Sequence, residues 1–396
     1  MTSQSSTVPL RWLTLAITML VTSLGLGGCM LFGGLHADAI AHTAERPANV
    51  AVYLSVRDGK DPVTDLAADN FHLSENGQPL GSGDTNLTLL DRRAVAEHRV
   101  LLLVDISTAK DAGARRQLAR GVAGFVESVK KQQAVTLFAF DGRAEPIFVA
   151  EYPQGDGEKV EQVQALEAQT PQDPSRNLHG AAMHAIKQLD ARLLSAKKPI
   201  RIGTLVIFAA GPDLAARVTR EEVEEKIRNS PHHVLTVIVA NEEQDADLGD
   251  LAKDGLHRAP SVQMAGIGLD EAARRVNALE QQYYLLSYCS PARAGARRLT
   301  IDVKRTTLEG SEQSASANVD FDATGFGPGC DSSRVPRFAS GTTPVPVQGE
   351  DPDKPEGTAP KDPGPQKPSG DKPPAKDPDE AAPPPDLPGY APLPGK

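Results

Sequence analysis

The chain has 396 residues, enough for two or three domains of roughly 150 residues each. Charged residues make up 24% and hydrophobic ones 39%, ordinary for a globular core, while 42 basic against 52 acidic side chains leave a net charge of −10. That balance argues against an electrostatic nucleic-acid binder, and the single tryptophan, Trp12, falls in a segment expected to be removed, which argues against aromatic sugar-binding platforms.

Residues 1–28 read as an export signal. Arg11 is the only charged side chain there, and it precedes an apolar run from Trp12 to Leu26. As a helix that run would be ~22 Å long, short of a ~30 Å hydrocarbon core. It ends in Leu26-Gly27-Gly28-Cys29, which resembles the bacterial lipobox. The resemblance implies that Cys29 is lipidated and opens the mature chain. Met30 in place of Asp at the next position implies the outer membrane, with either a periplasmic or a surface-facing orientation. With Cys29 taken by lipid, Cys289 and Cys330 remain as an even pair. An oxidising compartment could close them over a loop of about 40 residues, and two free buried thiols are the alternative. Neither has a second ligand at finger-like spacing, so a structural metal is disfavoured.

Residues 29–46 are expected to be a linker. Residues 47–96 read as a β module, with a strand over Val50–Val56, a turn at Asp58-Gly59, and Phe71–Glu75 running into the hairpin signal Asn76-Gly77. The character changes at His98. Val100-Leu101-Leu102-Leu103-Val104 is a continuous apolar run, as in a strand covered on both faces. Leu118, Val122, Phe125, Val126 and Val129 then mark one face of a helix. The alternation continues with strands at Val135–Phe140, Leu205–Phe208 and Val234–Val239, a short strand at Ile147–Ala150, a helix carrying Ala182, Ala185, Ile186, Leu189 and Leu193, a helix opened by the capping box Thr219…Glu222, and a helix over Leu269–Gln282. Such alternation predicts an α/β fold, a doubly wound and mostly parallel sheet with helices on both faces.

β character returns with Tyr284–Cys289, Leu299–Val303 and Ala317–Phe321. Strands on both sides of the α/β unit favour one β-sandwich with the α/β domain inserted. An N-terminal β unit plus an extension of the α/β sheet is the alternative. Beyond residue 336 the chain is proline-rich, with 17 of its 32 prolines in 341–396, and is expected to be disordered.

The segment His98–Tyr288 resembles the von Willebrand factor type A domain, on the strand ending Asp105-Ile106-Ser107-Thr108-Ala109, the helical start Asn177–Ala181, and Leu205–Phe208 running into Ala209-Ala210-Gly211. Asp65–Gly77 resembles the β module that often precedes this domain in bacterial secreted proteins, and Tyr283–Tyr288 its exit strand. The resemblance implies a von Willebrand A-like domain over 97–288 and a C-terminal β segment over 289–335 packed on the N-terminal module. In the family a divalent cation is held by Asp-x-Ser-x-Ser, a Thr and an Asp. Here Asp105 and Ser107 match, Ala109 replaces the second serine, Arg176 stands where the Thr is expected, and Ala210 replaces the Asp. A guanidinium repels Mg²⁺. The expected site is therefore degenerate and metal-free, with Arg176 either paired to Asp105 or pointing to solvent. A rearranged Mg²⁺ site using Ser175 or Asp213 is the alternative.

Other signals are weaker. His179 and His184 are five apart, splitting them across helix faces. His232-His233 read as edge residues before a strand. Ser195-x-x-Lys198 lacks companion motifs, and Asp245 and Asp247 lack calcium-loop spacing. No catalytic set stands out. The expected function is a metal-independent protein-binding or scaffold module on an envelope lipoprotein, with a protein partner and no enzymatic activity. A metal-dependent adhesin is the alternative and a hydrolase a third reading.

Overall fold

The computed structural model describes residues 34–239 and 251–339. Cys29, the expected export signal and residues 340–396 lie outside the described residues. In chain order the strands are β1 (Leu35–Glu45), β2 (Asn49–Asp58), β3 (Asp61–Pro62), β4 (Phe71–Glu75), β5 (Gln78–Pro79), β6 (Thr88–Leu90), β7 (Ala96–Asp105), β8 (Ala134–Phe140), β9 (Ile147–Tyr152), β10 (Ile200–Ala209), β11 (His233–Val239), β12 (Gly255–Ala259), β13 (Tyr283–Cys289), β14 (Ala296–Thr306) and β15 (Glu312–Asp322). The long helices are α1 (Ala112–Val129), α2 (Leu178–Leu194), α3 (Arg220–Asn229) and α4 (Ala265–Gln281).

Six strands form the α/β sheet in the order β12-β11-β10-β7-β8-β9. All neighbours are parallel except the edge pair β8–β9. β7 shows why its run is unbroken by polar residues. Val100, Leu102 and Val104 pack in the core shared with α1 and α4, while Leu101 and Leu103 pack in the core shared with α2 and α3. Both faces of the strand are dry, so both must be apolar. The helix starts follow their caps. Asp111 accepts from the Ala114 amide at α1, and Thr219 with Glu222 forms a complete capping box at α3.

The other two sheets mix N- and C-terminal strands. One runs β1-β2-β13-β6 with β3 on β2, the other β15-β14-β4-β5. Their inner faces share one core, in which Val50, Val52, Leu54 and Phe71 meet Leu286, Leu299, Ile301 and Val303. This is a sandwich interrupted by the α/β domain, and the C-terminal β segment packs with the N-terminal module. At the Asn76-Gly77 hairpin both residues have positive φ, 49° and 77°, which suits the twist of the flanking strands.

Three boundaries differ from the sequence reading. Residues 35–45, expected to lie in a linker, form β1, paired along its length with β2. Its alanines and short polar residues carry little β signal, and a bulge between Ala39 and Ala41 breaks the alternation. Residues 283–288, assigned to the α/β domain, belong to the sandwich as β13, between β2 and β6. Every residue of β13 is buried, so periodicity could not say which sheet owns it. The boundary expected at 336 is too early, because Phe338 is buried at 8% exposure against Tyr53, Ile200 and Tyr283. A disulfide joins Cys289, at the end of β13, to Cys330.

Candidate functional site

The strand order reverses between β7 and β10, because the chain steps one way from β7 to β8 and the other way to β10. The crevice outside the carboxyl ends at such a point is where doubly wound sheets bind ligands. Asp105 ends β7 there with no exposed surface. Ala209-Ala210-Gly211 leaves β10 beside it, and Arg176 immediately precedes α2.

These loops converge on one ion pair. Arg176 Nε donates to Asp105 Oδ2 at 2.5 Å, with side-chain exposures of 6% and 0%. Asp105 Oδ2 also accepts from the Ala210 amide at 2.9 Å, and Oδ1 from the Ser107 amide at 2.8 Å. Arg176 Nη1 donates to the Pro212 carbonyl at 2.8 Å. A buried charge needs a partner and hydrogen bonds, and here both ions have them. The loop after β10 folds over the pair, with the amides of Leu214 and Ala215 bonding the Arg176 carbonyl. Gly211 has φ +156°, and a Cβ there would stand 2.8 Å from Arg176 Nη1. The guanidinium therefore lies flat on a backbone that only glycine leaves clear.

The remaining expected positions fall nearby. Ala109 is fully buried and brings no oxygen donor from its side chain. The Ser107 hydroxyl is buried without a hydrogen-bond partner among the described residues. Ser175 donates its hydroxyl to Asp173 Oδ1 at 2.7 Å. Asp213 caps α2, taking the His179 amide at 3.1 Å and the Ala216 amide at 2.8 Å. With one carboxylate already paired, one orphan hydroxyl, two alanines and a guanidinium, this donor set does not fit a divalent cation. No cluster of three or more His, Cys, Asp or Glu side chains able to hold a metal occurs among the described residues.

A second buried acid, Asp141, immediately follows β8 at the same edge. Burial alone would push its carboxyl up, but the Arg143 guanidinium and the amides of Arg143, Gln172 and Asp173 together hold it below the ordinary aspartate value. Sequence reasoning missed Asp141, the room that Gly211 leaves for the guanidinium, and the capping role of Asp213. Only Ala210-Gly211-Pro212 carried a signal, as a turn.

The α/β domain is thus a doubly wound, mostly parallel sheet with one antiparallel edge. No protein-family model and no curated protein matches the chain. Solved structures similar to it include a von Willebrand factor type A protein from Catenulispora acidiphila, 8% identical with a TM-score of 0.35 over 74% of each chain. Proximal thread matrix protein 1 from the mussel byssus aligns at 12% identity and a TM-score of 0.34, over 52% of this chain and 49% of that one. The chain thus spans about half the length of the mussel protein, which in a further structure has a zinc-occupied MIDAS motif. The manganese-loaded Plasmodium vivax TRAP protein aligns at 12% identity and a TM-score of 0.34, over 61% of this chain and 97% of that one.

Proposed function

We propose that this protein is an envelope-anchored lipoprotein that binds a protein partner through the carboxyl edge of its α/β sheet, without metal and without catalysis. The observation that carries the reading is the Arg176–Asp105 pair, which fills the switch-point crevice with a permanent cation. Arg176 cross-links the loops after β7 and β10 to the start of α2, presenting a preformed rim that needs no ion to hold it together. A metal-dependent adhesin would need Ser175 or Asp213 as substitute ligands, and these side chains are engaged by Asp173 and by the α2 amides. Fold by itself does not give function, so the rim residues carry the argument.

The lipid anchor at Cys29 rests on the lipobox, and an outer-membrane location on Met30 after it. Changing Cys29 to Ala should release the protein from membranes, and a variant still fractionating with them would overturn the anchor. Binding is tested by capturing envelope proteins on the full chain, with and without chelator and with added Mg²⁺ or Mn²⁺. Capture of one partner, lost on substituting exposed rim residues such as Leu214 and indifferent to chelator, is expected. Capture abolished by chelator and restored by Mg²⁺ would overturn the metal-free reading.

A further inference from the structure

The joint between the sandwich and the α/β domain holds a chain of polar side chains on the side of the sheet away from the candidate site. His233 begins β11. Its Nδ1 lies 3.2 Å from Asp254 Oδ1, and its Nε2 lies 2.9 Å from the hydroxyl of Tyr283 on β13. Gln282 Nε2 is 3.4 Å from the same His233 Nε2, so the tyrosine hydroxyl and the Gln282 amide converge on one ring nitrogen. Gln282 Oε1 is buried without a hydrogen-bond partner among the described residues. A crevice of about 130 Å³ opens this chain to solvent.

The hydrogen bonds determine the proton positions. A carboxylate only accepts, so the neutral ring carries its proton on Nδ1 and offers a lone pair at Nε2. Tyr283 and Gln282 both aim donors at that lone pair, which leaves the Gln282 oxygen stranded. We propose that the chain Asp254–His233–Tyr283–Gln282 is a proton-operated relay that reverses polarity when His233 takes up one proton from the crevice. Nε2–H then donates to the Tyr283 oxygen. The tyrosine hydroxyl turns to Gln282, whose amide flips so that Oε1 accepts it. The proton stays on the imidazole, no covalent bond breaks, and Oε1 gains the tyrosine hydroxyl while the Nε2 donors move to the position it leaves.

The surrounding charges act in both directions. Asp254 favours the imidazolium, and Asp38 does so from β1. Lys253, which bonds the His232 carbonyl, opposes it, as do Lys60, Arg57, itself paired with Asp38, and Arg275, which bonds the Asp254 carbonyl. His98, edge-on to the Tyr283 ring, adds no charge, because burial pushes it down to about 3. His233 is the histidine of this joint that reaches solvent and pairs with the relay, at 16% side-chain exposure.

The test is a titration of the full chain from pH 8 to 5 by NMR, following ¹⁵N-labelled histidine rings and glutamine side-chain amides, with His233→Gln to assign the ring. The Gln282 amide signals should move with the same midpoint as the His233 ring. In Tyr283→Phe, which removes one oxygen, the ring should still titrate while Gln282 no longer follows it. Exchange of the Val56 amide, which bonds the Gln282 carbonyl across the joint, should be several-fold slower in the acid form after correction for intrinsic rates. His233→Gln should abolish that difference. Gln282 signals that ignore the His233 titration, or follow it equally in Tyr283→Phe, would overturn the relay.

Discussion

Asp105 illustrates how a single side chain is made tolerable in the core. It is charged, fully buried, and satisfied on both oxygens by one guanidinium and two amides. Such a pair contributes little net stability over an apolar substitute, yet removing one partner strands the other. Arg176→Ala should therefore destabilise the α/β domain by about 3–5 kcal/mol, read as a lower denaturant midpoint. Asp105→Asn should also be costly, since it leaves the buried Arg176 cation without its anion. Asp105→Asn combined with Arg176→Ala should cost less than the sum of the two single losses, whereas additive losses would argue against a shared pair. Asp141 sets the acid behaviour at the same edge. Its folded carboxyl is held below the unfolded value of about 4, so its stabilisation is complete above that value. It is lost as pH falls through the lowered folded value. Asp254 acts in the same sense: burial alone would raise its carboxyl, but the bond and charge of His233, the Val234 amide and the Lys253 charge together hold it below the ordinary aspartate value. Acid unfolding monitored by circular dichroism should shift to higher pH in Arg143→Ala, which loosens Asp141.

Among the elements, β13 carries the most. It is central in its sheet, paired with β2 over seven residues and with β6 over three. One face, with Tyr284, Leu286 and Tyr288, fills the sandwich core, and the other, with Tyr283 and Leu285, packs on Ile200 and Ile202. Tyr53 stacks on Tyr283 in that joint and bonds His98 Nε2 at 3.0 Å. The disulfide ties the end of β13 to Cys330 across a sequence separation of 41 residues. On the chain-entropy account it should stabilise the sandwich by about 4 kcal/mol. Replacing both cysteines by serine should lower the sandwich transition in calorimetry while leaving the α/β transition nearly unmoved. β1 shows the limit of pattern reading: its residues look like a linker, and only β2 beside it makes it a strand.

For the whole molecule, continuity in sequence and continuity in space part company. The α/β domain is one unbroken stretch with its own two cores on either side of the sheet. The sandwich is assembled from pieces separated by that stretch, so neither piece can bury its face alone. A chain ending at residue 282 lacks β13, β14 and β15, leaving β2 and β4 each without a central neighbour. Limited proteolysis of that truncation should cut rapidly within residues 35–90 and spare the α/β domain. Equal resistance in both regions would show that the N-terminal strands fold without their partners.

The sequence by itself determined the α/β class, because buried parallel strands demand apolar runs and amphipathic helices demand a 3.6-residue period, and both are local patterns. It also showed alanine at positions 109 and 210, where the resemblance would place oxygen ligands, since a side chain without donors is visible one residue at a time. It left two outcomes open for Arg176, and the fold places the guanidinium on Asp105, because contact between residues 71 apart depends on how two loops meet. The ownership of β13, the strand at Leu35–Glu45, the covering of Arg176 by Gly211 and Pro212, and the stranded oxygen of Gln282 were decided only in three dimensions. Each depends on a neighbour distant in the chain, and no local periodicity encodes which distant neighbour that is.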